Sequence, residues 1–506
     1  VSRVVVVGGG IGGLAASALL STAGHDVTLL EQSTTLGGKS RRMLVGGQRI
    51  DTGPSLVTFP TAWHELRRRL GHGDAGSSDP AGSDTGTRDT PADAGVGHLD
   101  LVRMPEVGTY YYRGETVTLP VPEGHPWYPA WRRFSDEHAP LADDVTELLL
   151  TDPLDRAALP ALRRLLAVYG TRLTTRAYLD GLDWMPDGLR EIIAIHTLNA
   201  GVSPSRTAAL YASMPAIMAE TGAWVPRGGV YEVVEALAQL AAAAGVTIRT
   251  GETVTRIEKG SVTSSGGVYP ADLVVSAVDA ERLGSLVGPA VPALANLPTV
   301  SRLTGVTRTL SCSAIAVYGV LRENLPEGIA AHSVVLPTRP EALHRSLEAG
   351  DEPADTMAFV NYYRAGDIYP NERSTVGILL TAPSDGAGYT IDHPFVRREV
   401  DRISNAMGLP TPLTDYLDEH VVLDPQYYGG FGEPHGALYG TARPAWMAGP
   451  FHQPGYVDPL RPWLWRGGAS GHPGGGVPPP LGGAGIAGTP PLERNPGSLP
   501  PLAGGW

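Results

Sequence analysis

Gly8, Gly10 and Gly13 stand in the spacing G-x-G-x-x-G, and Glu31 follows 18 residues after the last of them. These residue types at this spacing can hold a dinucleotide. Gly8 allows a tight turn, Gly10 lets the backbone approach a pyrophosphate, and Gly13 lets a helix pack close on a strand. A carboxylate at position 31 can accept hydrogen bonds from ribose hydroxyls. Three elements must position them. Residues 4–7 are all valine, as expected of a strand buried on both faces of a parallel sheet. A helix should run through Leu14, Leu19 and Leu20 and break at Gly24, presenting its unpaired first amides to the phosphates. Residues 27–30 read as a second strand that delivers Glu31 to its end.

A second loop follows closely. Leu36-Gly37-Gly38-Lys39-Ser40 leads into a hairpin ending in Ile50-Asp51-Thr52-Gly53-Pro54-Ser55. A glycine pair here lets the chain close over the dinucleotide from the other side, and Lys39 can neutralise phosphate charge. Proteins that bind only a nicotinamide dinucleotide do not need this piece, so the two loops together point to FAD. Much later, Trp224-Val225-Pro226-Arg227-Gly228-Gly229 precedes a helical pattern through Val230, Val233, Val234, Leu237, Leu240 and Ala244, closed by Gly245. A strand at 246–249, a β-excursion from 251 to 267 and a buried strand at 271–277 complete a dinucleotide sheet whose first half lies more than 150 residues earlier. The FAD domain is therefore expected to be discontinuous.

Composition narrows the possibilities. The 506 residues can bury a large core, and the formal net charge of −13 argues against a nucleic-acid partner. Cys312 is the single cysteine, so neither an intrachain disulfide nor a cysteine metal cluster can form, and no metal site is expected. The first residues lead straight into a strand without the pattern of a signal peptide, and no uninterrupted apolar stretch reaches the roughly 20 residues of a membrane span. A cytoplasmic location, peripheral on the inner face of the cell membrane, is the expectation.

Along the chain, residues 1–62, 221–290 and 451–506 read as three parts of the FAD-binding domain. Residues 71–97 lack Leu, Ile and aromatic side chains and read as a flexible insertion. Residues 98–128 and 291–450 alternate as strands of a second, substrate-binding sheet, beginning at 99–102. Residues 129–220 read as a helical subdomain. Within it, residues 156–176 carry five arginines and no acid among Leu162, Leu165, Leu166, Val168 and Tyr169. That stretch is either an interfacial helix leaning on anionic lipid or a solvated basic face over a packed helix. No nucleophile with a nearby base is visible, and the catalytic residues are left unassigned.

With these blocks in place, the chain resembles the FAD-dependent carotenoid desaturases of the bacterial phytoene desaturase type, within the amine oxidase-like flavoproteins. The motifs are VVVVGGGIGGLAA with Glu31, LGGKS, DTGPS, WVPRGG, ADLVVSAVD, GALYG at 436–440 and GGASGHPGGGVP. The resemblance implies an α/β fold: a discontinuous Rossmann-like FAD domain, a mixed-sheet substrate domain and a helical membrane-facing subdomain. It implies that Gly8, Gly10, Ile11, Gly12 and Gly13 hold the pyrophosphate and Glu31 the adenosine ribose. Gly37, Gly38 and Lys39 would lie beside the dinucleotide, with Gly53, Pro54 and Ser55 also at the cofactor and the Val254 backbone against adenine. Gly468, Ala469, Gly475, Gly476 and Val477 would lie near the flavin. The implied activity is desaturation of a long apolar carotenoid, such as phytoene or a hydroxylated carotenoid, with hydride passing to the flavin and then to oxygen or a quinone. A hydroxycarotenoid 3,4-desaturase, a carotenoid isomerase and a non-catalytic lipid carrier of the GDP-dissociation-inhibitor type are alternatives on the same scaffold. The chain departs from the family pattern at its end: 22 of the residues from 467 to 506 are Gly or Pro, and prolines at 478–480 and 490–491 would interrupt a helix there.

Overall fold

Val4 and Val6 face one way and Val5 and Val7 the other, and each pair is buried in a different core. In this computed structural model, which describes residues 1–58, 60–72, 95–151, 155–288, 309–442, 455–458, 460–469 and 471, that arrangement arises because β1 (Arg3–Val7) sits inside a six-stranded sheet. β1 pairs in parallel with β2 (Asp26–Glu31) on one side and with Leu273–Ser276 on the other. Thr247–Thr250 extends the sheet in parallel beyond β2. Arg461–Arg466 extends it in parallel beyond Leu273–Ser276, and Val457–Asp458 closes that edge antiparallel. The sheet thus draws on three distant stretches of chain, as a discontinuous domain requires.

Helix α1 (Ile11–Thr22) crosses from β1 to β2 and packs with Glu232–Ala243 over one face, burying Leu14, Leu20, Leu237 and Trp465 in one core. Over the other face lie a three-stranded sheet, Val254–Glu258, Gly260–Ser264 and Gly267–Ala271, and the helix Ala280–Val287.

The second sheet has seven strands in the order Leu417–Leu423, Ser313–Leu321, Thr375–Ala382, Ala358–Tyr363, His332–Val335, Gly108–Tyr112 and Glu115–Leu119. It is mixed, because His332–Val335 runs parallel to Gly108–Tyr112 while the other neighbours are antiparallel. Alternation divides its side chains between two environments. Ile315, Val317, Ile378 and Val360 pack against Pro394–Ala406. Ala314, Ala316, Tyr318 and Val320 face the hairpin of β3 (Arg41–Val45) and β4 (Gln48–Thr52). Beyond the other end of this inner face, Tyr110, Val117 and Val334 share a core with Tyr128–His138, Ala142–Leu150, Leu159–Tyr169, Asp187–Ile195 and Met214–Thr221.

One expectation needs correction, and one reading that stood open gains detail. The strand near residue 100, Leu101–Arg103, does not join the second sheet. It pairs with Ala223–Pro226, which also takes Val57–Thr58, in a separate three-stranded sheet. Only three residues long and followed by Pro105, it is too short to bridge to the strand at Gly108. The basic stretch is also less free than its composition implies. Arg164 pairs with Asp144 and Glu147, and Arg176 with Glu191 and Asp180, acids supplied by neighbouring helices and by its own. No described helix is long and apolar enough to cross a membrane. Most of the 71–97 insertion and the chain from 472 onward lie outside the described residues.

Three histidines are held neutral by burial. His196 and His332 each meet a tyrosine hydroxyl, at 2.9 Å and 2.7 Å, whereas neither ring nitrogen of buried His344 has a partner among the described residues. Burial pushes all three down to about 4, with Arg176 adding to the effect at His344. Between about 4 and the ordinary value of 6.5 the unfolded chain binds more protons than the folded one. Stability therefore falls as pH drops through that window. Replacing His344 by leucine removes one such group, so urea midpoints measured at about pH 7, above the window, and at about pH 5, inside it, should lie closer together in His344→Leu than in the parent. An unchanged gap would contradict this account.

Candidate functional site

The N-terminus of α1 is left open by its own sequence. Gly10 is the N-cap residue and supplies no side-chain hydrogen bond, and the first intrahelical bond runs from the Leu14 amide to the Gly10 carbonyl at 3.0 Å. The first-turn amides and the helix dipole are therefore available to an anion. Gly13 is obligatory for a different reason: a Cβ there would lie 1.9 Å from the Gly8 carbonyl oxygen.

The second loop is stitched to the first through backbone alone. The Gly37 amide donates to the Gly9 carbonyl at 2.8 Å, and Gly10 and Gly37 form a parallel bridge. A Cβ on Gly38 would stand 3.3 Å from the Gly10 Cα, so the two chains touch with no side chain between them. Glu31 locks the assembly from below. Its Oε2 accepts from the Gly9 amide at 2.6 Å and its Oε1 from the Ser33 amide at 2.8 Å. Each carboxylate oxygen keeps a lone pair for a further donor.

These loops form one wall of a cavity of about 650 Å³. That volume lies in the range of cofactor sites. Gly8, Gly10, Ile11, Gly12, Glu31, Gly37, Gly38, Lys39, Gly53, Pro54, Val254, Gly468 and Ala469 all line it. Gly13 does not, because it packs behind the wall against Gly8 and Ala277. Ser55 faces a second, much smaller cavity, which shares Gly53 and Pro54 with the first. Gly475, Gly476 and Val477 lie outside the described residues, as does His472. Among the described residues no three His, Cys, Asp or Glu side chains are grouped to hold a metal ion.

Lys39 takes a role the sequence did not predict. Its half-buried Nζ donates to the carbonyls of Leu438 at 2.6 Å and Ala437 at 3.3 Å, fastening the second glycine loop to the 436–440 segment. Burial pulls its pKa down, opposed by Asp279 and Glu433. Other wall residues escaped the sequence reading. Arg41 donates through Nε to the Gly38 carbonyl at 2.7 Å, and its guanidinium lies 5.7 Å from the Phe431 ring. Arg282 donates to the Val254 carbonyl at 3.3 Å, which occupies part of the backbone expected to meet adenine. Tyr428 and Phe431 line the cavity from a segment with no motif, and Leu438 and Tyr439 line it from the GALYG motif, to which the sequence reading assigns no contact with the cofactor. A cation directly after LGGKS was the one visible sign of Arg41.

The second sheet contributes Ala314 and Leu379 to the wall opposite the loops. The arrangement is thus anion-seeking at one end and apolar at the other. A pyrophosphate fits the open helix end and a flat ring fits the side lined by Pro54, Leu379 and Tyr439.

The profile described as flavin containing amine oxidoreductase matches residues 11–305, more than half of the chain. The chain belongs to this family. It is an FAD-dependent oxidoreductase, and its relatives cover nearly its whole length. A zeta-carotene-forming phytoene desaturase of Myxococcus xanthus is 25% identical over 489 residues, covering 94% of this chain and 91% of the relative. A 4,4'-diapolycopene oxygenase of a Methylomonas species is 28% identical over 513 residues, covering 94% and 95%. Among solved structures, the cyclohexylamine oxidase of Brevibacterium oxydans has the same fold, with a TM-score of 0.57 at 17% identity over 96% of this chain and 98% of that one. The cavity, the glycine loops and the discontinuous sheet are this chain's version of that flavoprotein fold.

Gly10 and Gly13 separate cofactor binding from folding. A Cβ on Gly10 meets nothing nearer than 3.8 Å, and Gly10 has φ of −73°, so Gly10→Ala should fold while placing its methyl group in the cavity wall. FAD affinity should drop roughly 10- to 100-fold, the equivalent of the ~1–3 kcal/mol that an inserted side chain costs. Gly13→Ala should instead lower thermal stability. Flavin absorbance after dialysis and circular dichroism, run on both variants, distinguish the two effects.

Proposed function

We propose that the protein desaturates a long apolar polyene of the carotenoid class. The observation that carries this reading is a row of side chains across the inner face of the second sheet. Ala316 pairs with Leu379, Leu379 with Phe359, Phe359 with Val334, and Val334 with Tyr110. Directly opposed side chains on neighbouring strands lie about 4.5–5.5 Å apart. The row therefore makes a continuous apolar strip of roughly 19 Å, at ~4.8 Å per strand. Leu379 at one end lines the FAD cavity, and Val334 and Tyr110 at the other are buried beneath the helices. Of these residues Leu379 borders the FAD cavity, and the length and apolarity of the strip match those of a linear hydrocarbon. The names of the relatives from Myxococcus and Methylomonas favour a carotenoid.

In this reading the open amides of α1, with Gly8, Gly10, Ile11 and Gly12, receive the FAD pyrophosphate, and Glu31 accepts from the ribose. Gly37 and Gly38 close over it. Lys39 holds the 436–440 segment in place behind them. Val254 borders the adenine, while Gly53, Pro54, Gly468 and Ala469 border the flavin ring. Bound FAD supplies the two-electron acceptor for a hydride leaving the polyene. The protein's part is positional: the strip fixes which carbon faces the ring, and the apolar walls exclude water. Charge left on the polyene spreads along its conjugated system, so release of the second hydrogen as a proton asks little of a protein base.

Delivery of such a substrate calls for a membrane surface. Leu159, Leu166 and Leu173 are 46%, 53% and 70% exposed within one short stretch, interleaved with exposed Arg156, Arg163 and Arg172. Apolar side chains flanked by cations suit the interface of an anionic bilayer. We place the protein peripherally on the inner face of the cell membrane, with oxygen or a quinone as the final electron acceptor.

Anaerobic incubation of FAD-loaded protein with phytoene in liposomes should bleach the flavin and lengthen the polyene chromophore; re-oxidation with oxygen and with a quinone then identifies the acceptor. A change of polyene shape without net oxidation would indicate an isomerase, and neither change a carrier. Phe359→Asp should cut polyene turnover at least tenfold, because a charge in the strip is left unpaired. Arg163→Glu should weaken sedimentation with anionic liposomes about fivefold, at ~1 kcal/mol per basic residue near the surface, and leave binding to neutral liposomes little changed.

A further inference from the structure

The cavity has an outer end that the two glycine loops do not reach. Along the six-stranded sheet the order runs from β1 to β2 and then to Thr247–Thr250, all parallel, with Thr250 beside Glu31. Ligands of such sheets lie across the carboxyl ends of the strands. Gly8 follows β1, Glu31 ends β2, and Glu252 follows the outermost strand, its amide donating to the Glu31 carbonyl at 2.9 Å. With the pyrophosphate at α1 and the ribose at Glu31, the next group outward along this line is the adenine. Glu252, Val254 and Arg282 line the same cavity as Gly8 and Glu31.

The Glu252 carboxylate is held in place. The Tyr269 hydroxyl meets its Oε1 at 2.9 Å and its Oε2 at 2.8 Å, and the Ser264 hydroxyl donates to Oε2 at 2.8 Å. These bonds, that of Tyr269 first, hold its pKa below the ordinary value, so it stays ionised and can only accept. The hairpin is shaped around it, since a Cβ on Gly266 would lie 2.5 Å from the carboxylate. Among the described residues Oε1 accepts only from Tyr269, which leaves it room for a further donor.

The other carboxylates that line the cavity among the described residues have different work. Glu31 accepts from the Gly9 and Ser33 amides and turns what remains to the ribose. Asp279 lies on the far side of β1, beyond Leu273–Ser276, and caps the helix Ala280–Val287 through the Glu281 amide at 3.1 Å. The Val254 carbonyl is already met by Arg282 at 3.3 Å. Glu252 is the carboxylate that remains for a donor at the outer end.

We infer that Glu252 reads the adenine of FAD: its carboxylate accepts a hydrogen bond from the exocyclic amine, so that the protein selects a dinucleotide carrying that amine. The inference concerns the cofactor alone and holds whatever substrate is oxidised.

The probes are FAD and the analogue in which hydrogen replaces the amino group of adenine. Affinity of the full-length, flavin-free protein for each is read from the change in flavin fluorescence on binding, with no turnover involved. The parent should bind FAD about fivefold or more tightly than the analogue, as a hydrogen bond to a charged acceptor gives. Glu252→Ala should bring the ratio to near unity by weakening FAD alone. Glu252→Gln, which fits the hairpin and keeps a neutral acceptor, should fall between the two. Equal affinity of the parent for both dinucleotides, which is what a carboxylate serving only the hairpin gives, overturns the inference without any variant. So does a preference that survives unchanged in Glu252→Ala. Circular dichroism checks the fold of each variant, and should Glu252→Ala fail to fold, an unchanged ratio in Glu252→Gln overturns the inference equally.

Discussion

Two stretches of backbone touch at the floor of the cavity, and the rest of the molecule is arranged to keep them there. The Gly37 amide reaches the Gly9 carbonyl at 2.8 Å, and the α-carbons of Gly10 and Gly38 face each other without intervening side chains. Any substitution at 38 would enter contact distance of Gly10 as well as adopt an unfavourable φ of +63°. The contact holds only if the segments on either side are fixed independently. Glu31 fixes the first loop through the Gly9 amide, and Arg41 braces the second through the Gly38 carbonyl. Farther out, Lys39 ties that loop to Leu438, and Tyr231 does the same from the opposite side by donating to the Leu36 carbonyl at 3.0 Å. Segments hundreds of residues apart in sequence thus converge on one backbone contact.

The same convergence explains the hairpin that follows. Asp51 is buried, and its carboxylate meets Arg42 at 3.0 Å and the Tyr231 amide at 2.8 Å. Burial raises its pKa even with Arg42 beside it, so both partners are needed to hold the charge. A Cβ on Gly229 would lie 2.1 Å from the Asp51 carboxylate, which is why a glycine stands there. The DTGPS turn and the WVPRGG segment are therefore two halves of one joint. It sets the height of Gly53 and Pro54 between the FAD cavity and the second sheet.

What the sequence made legible was local. The valine strand, the first glycine turn, Glu31 and the later helix and buried strand of the dinucleotide sheet all announce themselves through spacing or periodicity, because each is decided by a few neighbouring residues. What it hid was decided across the chain. Nothing near Lys39 reveals that its amine will find the carbonyls of Ala437 and Leu438, since those lie about 400 residues away. Leu101–Arg103 alternates like any edge strand, and only the position of Ala223–Pro226 determines which sheet it joins. Tyr428 and Phe431 carry no motif and reach the cavity only through the turn that follows Leu417–Leu423. The five arginines suit either an interfacial helix or a solvated face over a packed helix, and their sequence gives no sign that Asp144, Glu147 and Glu191 stand beside two of them.

The cross-strand rows belong to this second kind of information and carry the chemistry farthest from the glycines. Leu379, Phe359, Val334 and Tyr110 come from four adjacent strands, and Tyr110 is far from the other three in the chain. A slip of one residue in any of these registers would turn that strand's contribution to the opposite face, where Val360, Ile378 and Leu380 pack against Pro394–Ala406. Those outward-facing residues are large and fully buried, so the slip is opposed by loss of a core rather than by anything at the site. The inner face of the sheet is in this sense held in register by the packing of the outer one. It follows that the strip and the neighbouring row of Tyr318, Gly377, Asn361 and His332 cannot shift relative to each other: the same registers that set Leu379 beside Phe359 set Gly377 beside Asn361.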